Sequence, residues 1–164
     1  MIRVITGELA ALPVDAVVRA ADDRLQAVGS ASERLDRLAG ERFGQLCHVQ
    51  APLDVGAAVV TGAGELTAEF VLHVVIQSSD HSTGRDTIRR ALASAWHRAE
   101  GWQLGTVAAP LVGLGLGGIA LEEAVGLLVE SFRGRTGGYP AELHIVLDSP
   151  EQAAAVEALI RRPA

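Results

Sequence analysis

T-V-A-A-P-L-V-G-L-G-L-G-G, residues Thr106 to Gly118, joins a buried strand to a helix through a glycine-rich turn. Val107 to Val112 is an apolar, partly β-branched run of strand length. Glycines follow at Gly113, Gly115, Gly117 and Gly118. Ile119 to Phe132 then reads as a helix, with apolar residues at Leu121, Val125, Leu128, Val129 and Phe132. A strand, a glycine loop and a helix start together present backbone N–H groups and the positive end of a helix dipole to an anion. Glycine suits such a loop because a Cβ restricts φ > 0 and keeps a bound phosphate at a distance. A tight connection with no ligand would use the same residues.

Working outward, strands and helices interleave. Ile2 to Ile5, Val14 to Ala21, Gly56 to Thr61, Phe70 to Gln77 and Glu142 to Asp148 read as further strands. Helices are predicted over Glu33 to Ala39, over Arg42 to Val49 and from Thr83 or Arg85 to Gly101. A last helix runs to Arg162, with Ser149 as N-cap and Pro150 at its first position. Ser32, directly before Glu33, reads as the N-cap of the first helix. The pattern predicts an α/β protein, a three-layer α/β/α sandwich. Its central sheet should be mixed, because the early strands lack intervening helices. Residues 1–164 read as one domain, with no repeat and no linker.

Composition narrows the function. A net charge of −6 argues against a nucleic-acid partner held by a basic field. No apolar run approaches the roughly 20 residues needed to span a bilayer, and the first residues read as a strand rather than a leader. A cytoplasmic protein with no membrane partner is the expectation; a homo-oligomer stays open. The single cysteine, Cys47, makes no intrachain disulfide and no cysteine-based zinc site. The histidines show no metal spacing, so neither metal nor cofactor is expected. The chain contains no lysine and no asparagine. The first absence removes a Walker-type lysine and Schiff-base chemistry. Together with Ala, Gly and Arg richness, the two absences point to a biased genome, as in a thermophile.

The order of these pieces resembles the macro domain family, whose members bind ADP-ribose in an α/β/α module. Gly7-Glu8-Leu9 resembles the family's G-D-I, and Val14 to Asp22 resembles V-D-A-I-V-N-A-A-N. Val59-Val60-Thr61-Gly62 with Phe70 to Val75 resembles A-x-x-T-x-G followed by Y-V-I-H-x-V. Ala109 to Gly118 resembles the P-x-x-G-x-G-x-G-G diphosphate loop. The resemblance covers nearly the whole chain and implies an ADP-ribose or related nucleotide-diphosphate ligand. It implies a site formed by Glu8, Leu9, Ala21, Asp22, Ser30 and Ser32, with Gly113, Leu114, Gly115, Leu116, Gly117 and Gly118 on the other side.

The departures from the family pattern fall in the first half of that site. Arg19 and Asp22 stand where the family has two asparagines, and Ser32 stands at the catalytic aspartate position. Ala27 and Val28 replace glycines. The usual hydrolytic pair is therefore missing, and little or no catalysis is expected. Asp22 is the only catalytic candidate, a carboxylate that accepts hydrogen bonds where an amide could also donate. Glu8 keeps an acid suited to an adenine amine. An arginine in a buried strand needs a partner, and a ligand phosphate or Asp22 are the two considered for Arg19. Three other readings compete: an ADP-ribosyl hydrolase using Asp22, a degenerate interaction module, and a dinucleotide fold on Gly113, Gly115 and Gly118. For the last, Asp148 lies about 30 residues on, where an acid is expected after roughly 20.

Overall fold

The computed structural model describes residues 1–162; Pro163 and Ala164, the end of the expected domain, lie outside the described residues. The chain runs β1 (Ile2–Thr6), β2 (Ala16–Asp22), α1 (Ser30–Ala39), α2 (Glu41–Leu46), β3 (Ala58–Gly62), β4 (Phe70–Gln77), α3 (Arg85–Trp102), β5 (Thr106–Ala109), α4 (Leu121–Arg133), β6 (Glu142–Leu147) and α5 (Pro150–Arg161). The six strands form one sheet in the order β1-β6-β5-β2-β4-β3. Every neighbouring pair is parallel except β3 and β4. The sheet is mixed and covered by helices on both faces.

Alternation along the strands decides which helices cover which face. Ala16, Val18 and Ala20 of β2 join Leu72, Val74 and Ile76 of β4 in the core under α3, α4 and α5. Val17 and Ala21, with Val71 and Val75, pack under Leu35 and Ala39 of α1 and Phe43 of α2. Trp96 belongs to the first core and donates from Nε1 to Ser131 Oγ at 2.9 Å. It is a packing residue, whereas Trp102 sits against Phe70 at 5.2 Å between ring centroids and is 54% exposed.

Most boundaries shift by one to three residues from the sequence reading, and three of the differences bear on the site. β5 stops at Ala109, because Pro110 has no N–H for a ladder and Leu111 already accepts the loop bond from Leu114. α1 begins at Ser30, with Gly29 (φ 90°) at its N-cap. Ser32 is therefore a buried residue of the first turn and no N-cap; its Oγ accepts from Ala20 N at 3.0 Å. The glycine loop contains a 3-10 turn, Leu116–Gly118, so α4 starts at Leu121. At α5 the N-cap is as read, Ser149 Oγ accepting from Gln152 N at 3.2 Å.

β2 and β5 touch only briefly, Ala16 opposite Val107 and Val17 opposite Ala108. Asp15 holds this junction, its Oδ2 accepting from Gly105 N at 2.8 Å and Thr106 N at 3.0 Å. Beyond it the two strands part. Asp15→Ala leaves both N–H groups without that acceptor and is expected to cost about 2 kcal/mol, read as a lower urea midpoint with an unchanged m-value.

Candidate functional site

The parting of β2 and β5 opens a cleft at the carboxyl ends of the parallel strands. From β2 the chain proceeds to one side of the sheet, and from β5 to the other. Open α/β sheets bind ligands at such a switch point. The walls come from Gly7–Leu9 after β1, Val28–Ser32 at the start of α1, Pro110–Leu114 after β5, and Val146–Asp148 at the end of β6. It encloses about 170 Å³, less than the roughly 300–1,000 Å³ of a typical small-molecule pocket. A ligand larger than one nucleoside would extend along the open part.

Two walls offer backbone donors. The N–H groups of Ser30, Ala31 and Ser32 precede the first intrahelical bond of α1, Glu33 N to Gly29 O, and no side chain caps this helix. All three residues line the cleft, at the positive end of the α1 dipole. Opposite, the glycine loop spends its own donors unexpectedly. Leu114 N bonds to Leu111 O, Gly115 N to Ile119 O and Leu116 N to Gly113 O. The N–H groups of Val112 and Gly113 take no part in these bonds, and both residues line the cleft. Gly117 (φ 57°) serves packing: a Cβ there would stand 2.6 Å from Thr83 O.

Of the residues singled out from the sequence, Glu8, Leu9, Ser30, Ser32, Gly113, Leu114 and Leu116 line the cleft. Ala21, Asp22, Gly115, Gly117 and Gly118 are absent from its lining. Ala21 points into the opposite core, as strand alternation requires. Asp22 closes the turn after β2, its Oδ1 accepting from Arg24 N at 2.8 Å and Gln26 N at 2.9 Å. Ser32 Oγ is occupied by the strand. Val28 is buried in the cleft wall, where its side chain fills space that a glycine would leave. Ala27 instead bridges back to Ala21.

Arg34 and Gln152 line the cleft without having been singled out for it, and Asp148, weighed only as the acid of a dinucleotide fold, lines it too. Arg34 binds Glu8 Oε2 from Nε at 2.7 Å, with Nη2 at 2.5 Å. Glu8 thus faces the cleft already paired, and its proximity raises the Arg34 pKa further. The one sequence signal for Arg34 was its position one turn into a helix that starts at the cleft.

Arg19 takes neither partner considered from the sequence. Its side chain is 2% exposed and points away from the cleft. Nε and Nη2 donate to the two oxygens of Asp36 on α1, at 2.7 and 2.8 Å. Nη1 donates to Leu25 O at 2.9 Å and lies 3.2 Å from His73 Nδ1. Because arginine cannot accept, His73 Nδ1 must be the acceptor, and the ring proton sits on Nε2. Nε2 then donates to Thr61 Oγ1 at 2.8 Å, whose hydroxyl donates to Gly62 O at 2.9 Å. Burial, and secondarily the Arg19 charge, lower the His73 pKa to about 3.

No group of three or more His, Cys, Asp or Glu able to hold a metal occurs among the described residues. No helix there is long and apolar enough to cross a membrane.

A doubly covered, mostly parallel sheet with a cleft at its switch point defines the class, an open α/β domain. The Macro domain family profile matches residues 18–128, and the chain belongs to the Macro domain family. An uncharacterized protein of Mycobacterium tuberculosis is 30% identical over 122 residues, 74% of this chain. The chain spans about a third, 34%, of that relative's length. A Pantoea vagans protein named O-acetyl-ADP-ribose deacetylase 1 is 30% identical over 135 residues, 79% of each chain. Among solved structures, the Trypanosoma brucei macrodomain in complex with ADP-ribose superposes with a TM-score of 0.83. That match has 22% identity and covers 97% of this chain and 68% of the other.

Two outcomes follow from the buried network. Asp36→Ala strands the Arg19 charge in the core and is expected to cost about 3–5 kcal/mol. Arg19→Met should cost less, because the Asp36 it leaves is 34% exposed; equal costs in chemical denaturation would contradict this ordering. For His73, the depressed folded pKa means that the unfolded chain binds more protons between about 6.5 and about 3. The neutral ring's contribution is therefore full above pH 6.5 and lost as pH falls toward 3, by at most about 1.4 kcal/mol per unit. His73→Gln, which keeps one donor and one acceptor, should flatten that limb of the stability curve.

Proposed function

We propose that this chain is a single domain that binds ADP-ribose or a related nucleotide diphosphate in the cleft between α1 and the glycine loop. The observation that carries the reading is the pair of facing donor sets, Ser30, Ala31 and Ser32 on one wall, Val112 and Gly113 on the other. A diphosphate is the group such walls suit, since it accepts from both sides and is favoured by the α1 dipole. The named ligand of the Trypanosoma brucei structure and the named substrate of the Pantoea vagans relative support the same chemistry. Leu9, Val146 and Leu147 offer an apolar wall for the nucleoside, with Glu8, Arg34 and Asp148 at its rim.

The same geometry argues for binding with little or no hydrolysis. The chain has no asparagine, Ser32 Oγ is engaged by Ala20 N, and Asp22 is spent on its own turn outside the cleft. No side chain on the α1 wall stands free as a general base. The Asp22 hydrolase reading loses its geometric support accordingly.

Titration calorimetry with ADP-ribose, and with AMP and NAD for comparison, tests the proposal. Saturable binding to ADP-ribose is expected, with no heat and no thermal shift at millimolar ligand as the contrary result. Ala31→Glu puts a carboxylate among the α1 donors, where it favours the helix and repels a diphosphate. Affinity should fall about tenfold or more (roughly 1.4 kcal/mol) with melting temperature unchanged or raised. Unaltered affinity would remove the α1 wall from the site.

A further inference from the structure

The far edge of the sheet from β1 carries a second surface that the cleft does not use. β3 is an edge strand, paired only with β4. Its residues alternate in the direction of their backbone groups. Val75 N donates to Ala57 O, so residues in phase with 57 face β4, and Ala58, Val60 and Gly62 direct N–H and C=O outward. Arg98 Nε takes one of these carbonyls, Ala58 O, at 3.0 Å. The Val60 pair is left open.

Beside this edge lies a basic surface of an acidic chain. α3 holds four of the fourteen arginines but only two of the twenty acids. Both acids are engaged: Asp86 Oδ1 accepts from Arg89 at 2.6 Å, and Glu100 Oε2 accepts from Tyr139 N at 2.8 Å. Arg85 is paired with Glu123. Arg90, His97 and Arg98 remain on the exposed face with no carboxylate partner among the described residues. Between them and β3 runs a shallow groove floored by Ala57, Ala58 and Ala93. Small side chains there leave room for another strand.

We propose that the β3 edge and the α3 flank together form a docking site for an acidic, extended peptide segment of a partner protein. The segment adds to β3 by main-chain hydrogen bonds, as in other cases of strand addition, and places carboxylates on Arg90 and on the Arg98–His97 pair. Helical rise separates positions 90 and 98 by about 12 Å. An extended strand covers that distance in about four residues. Residues four apart also share a face of a strand. The occupant is therefore a β-forming stretch with acids at i and i+4. Charge selects it and the free edge fixes its conformation.

Fluorescence anisotropy with a short labelled Thr/Val peptide carrying two glutamates four residues apart tests this on the whole protein. Binding is expected to weaken with added salt and to drop at least tenfold in the Arg90→Gln/Arg98→Gln double variant, with melting temperature monitored. A peptide N-methylated on the amides of one edge, which cannot extend a sheet, should not bind; this arm needs no altered protein. Equal affinity for the lysine counterpart, no loss in the double variant, or full binding of the N-methylated peptide would overturn the proposal. Tighter binding of a single-stranded oligonucleotide of matched charge would also overturn it, in favour of general polyanion attraction. ADP-ribose titration of the double variant runs separately, so failure of the cleft reading leaves this result intact.

Discussion

The guanidinium of Arg19 must be paired, because a charge in the core is tolerated only with its donors satisfied. Meeting that requirement organises the first half of the chain. The bidentate bond to Asp36 fixes α1 against β2. The bond to Leu25 O secures the turn that folds back along β2, where Leu25 itself sits at φ 59°. The same group dictates the His73 tautomer and, through it, the hydroxyl of Thr61 on β3. Phe43 closes the cluster from α2, with its ring 5.8 Å from that of His73 and 5.7 Å from the Arg19 guanidinium. One charged side chain thus connects β2, β4, β3, α1 and α2. The start of α1, which is one wall of the cleft, is held from behind by this cluster.

The position of the cleft rests on a different constraint. Parallel strands that part must leave backbone groups without a ladder partner, and each such group needs another acceptor or donor. After Val17 the chain supplies these internally: Ser32 Oγ takes Ala20 N, and Val28 N takes Ala20 O. The returning segment fills the gap near β2 and leaves the cleft between itself and the glycine loop. The position of the cleft is thus a product of topology, while its chemistry is that of helix and loop N–H groups.

The divergence of this chain from its family therefore has a physical form. Arg19, at a position that resembles an asparagine of the family pattern, lies with Val17 and Ala21 on the side of β2 under α1 and α2 and is matched by Asp36. Ser32, at the position that resembles the family's aspartate, accepts from the backbone of Ala20. Both side chains brace the α1 wall from behind. The donor walls, which depend on main chain, are untouched by side-chain replacement. This is why a binding reading outlasts a catalytic one.

The sequence by itself determined the alternation of strands and helices, the α/β class and the glycine loop. These depend on local periodicity and on glycine's backbone freedom, both written in neighbouring residues. It also determined that asparagine is missing from the site, since a residue type absent from the chain cannot be supplied by folding. Only the tertiary structure decided that Arg19 pairs with Asp36, that Asp22 caps its own turn, and that Arg34 meets Glu8. Those are choices among several charged partners separated by 17 to 26 residues or competing within one turn. Local pattern carries no information on which pair comes within hydrogen-bond distance. The glycine loop shows the same division. Its presence was legible, but which of its N–H groups stay free was settled by the bonds of Leu114, Gly115 and Leu116 within the loop. A carbonyl's direction is fixed by the fold around it and by no residue type.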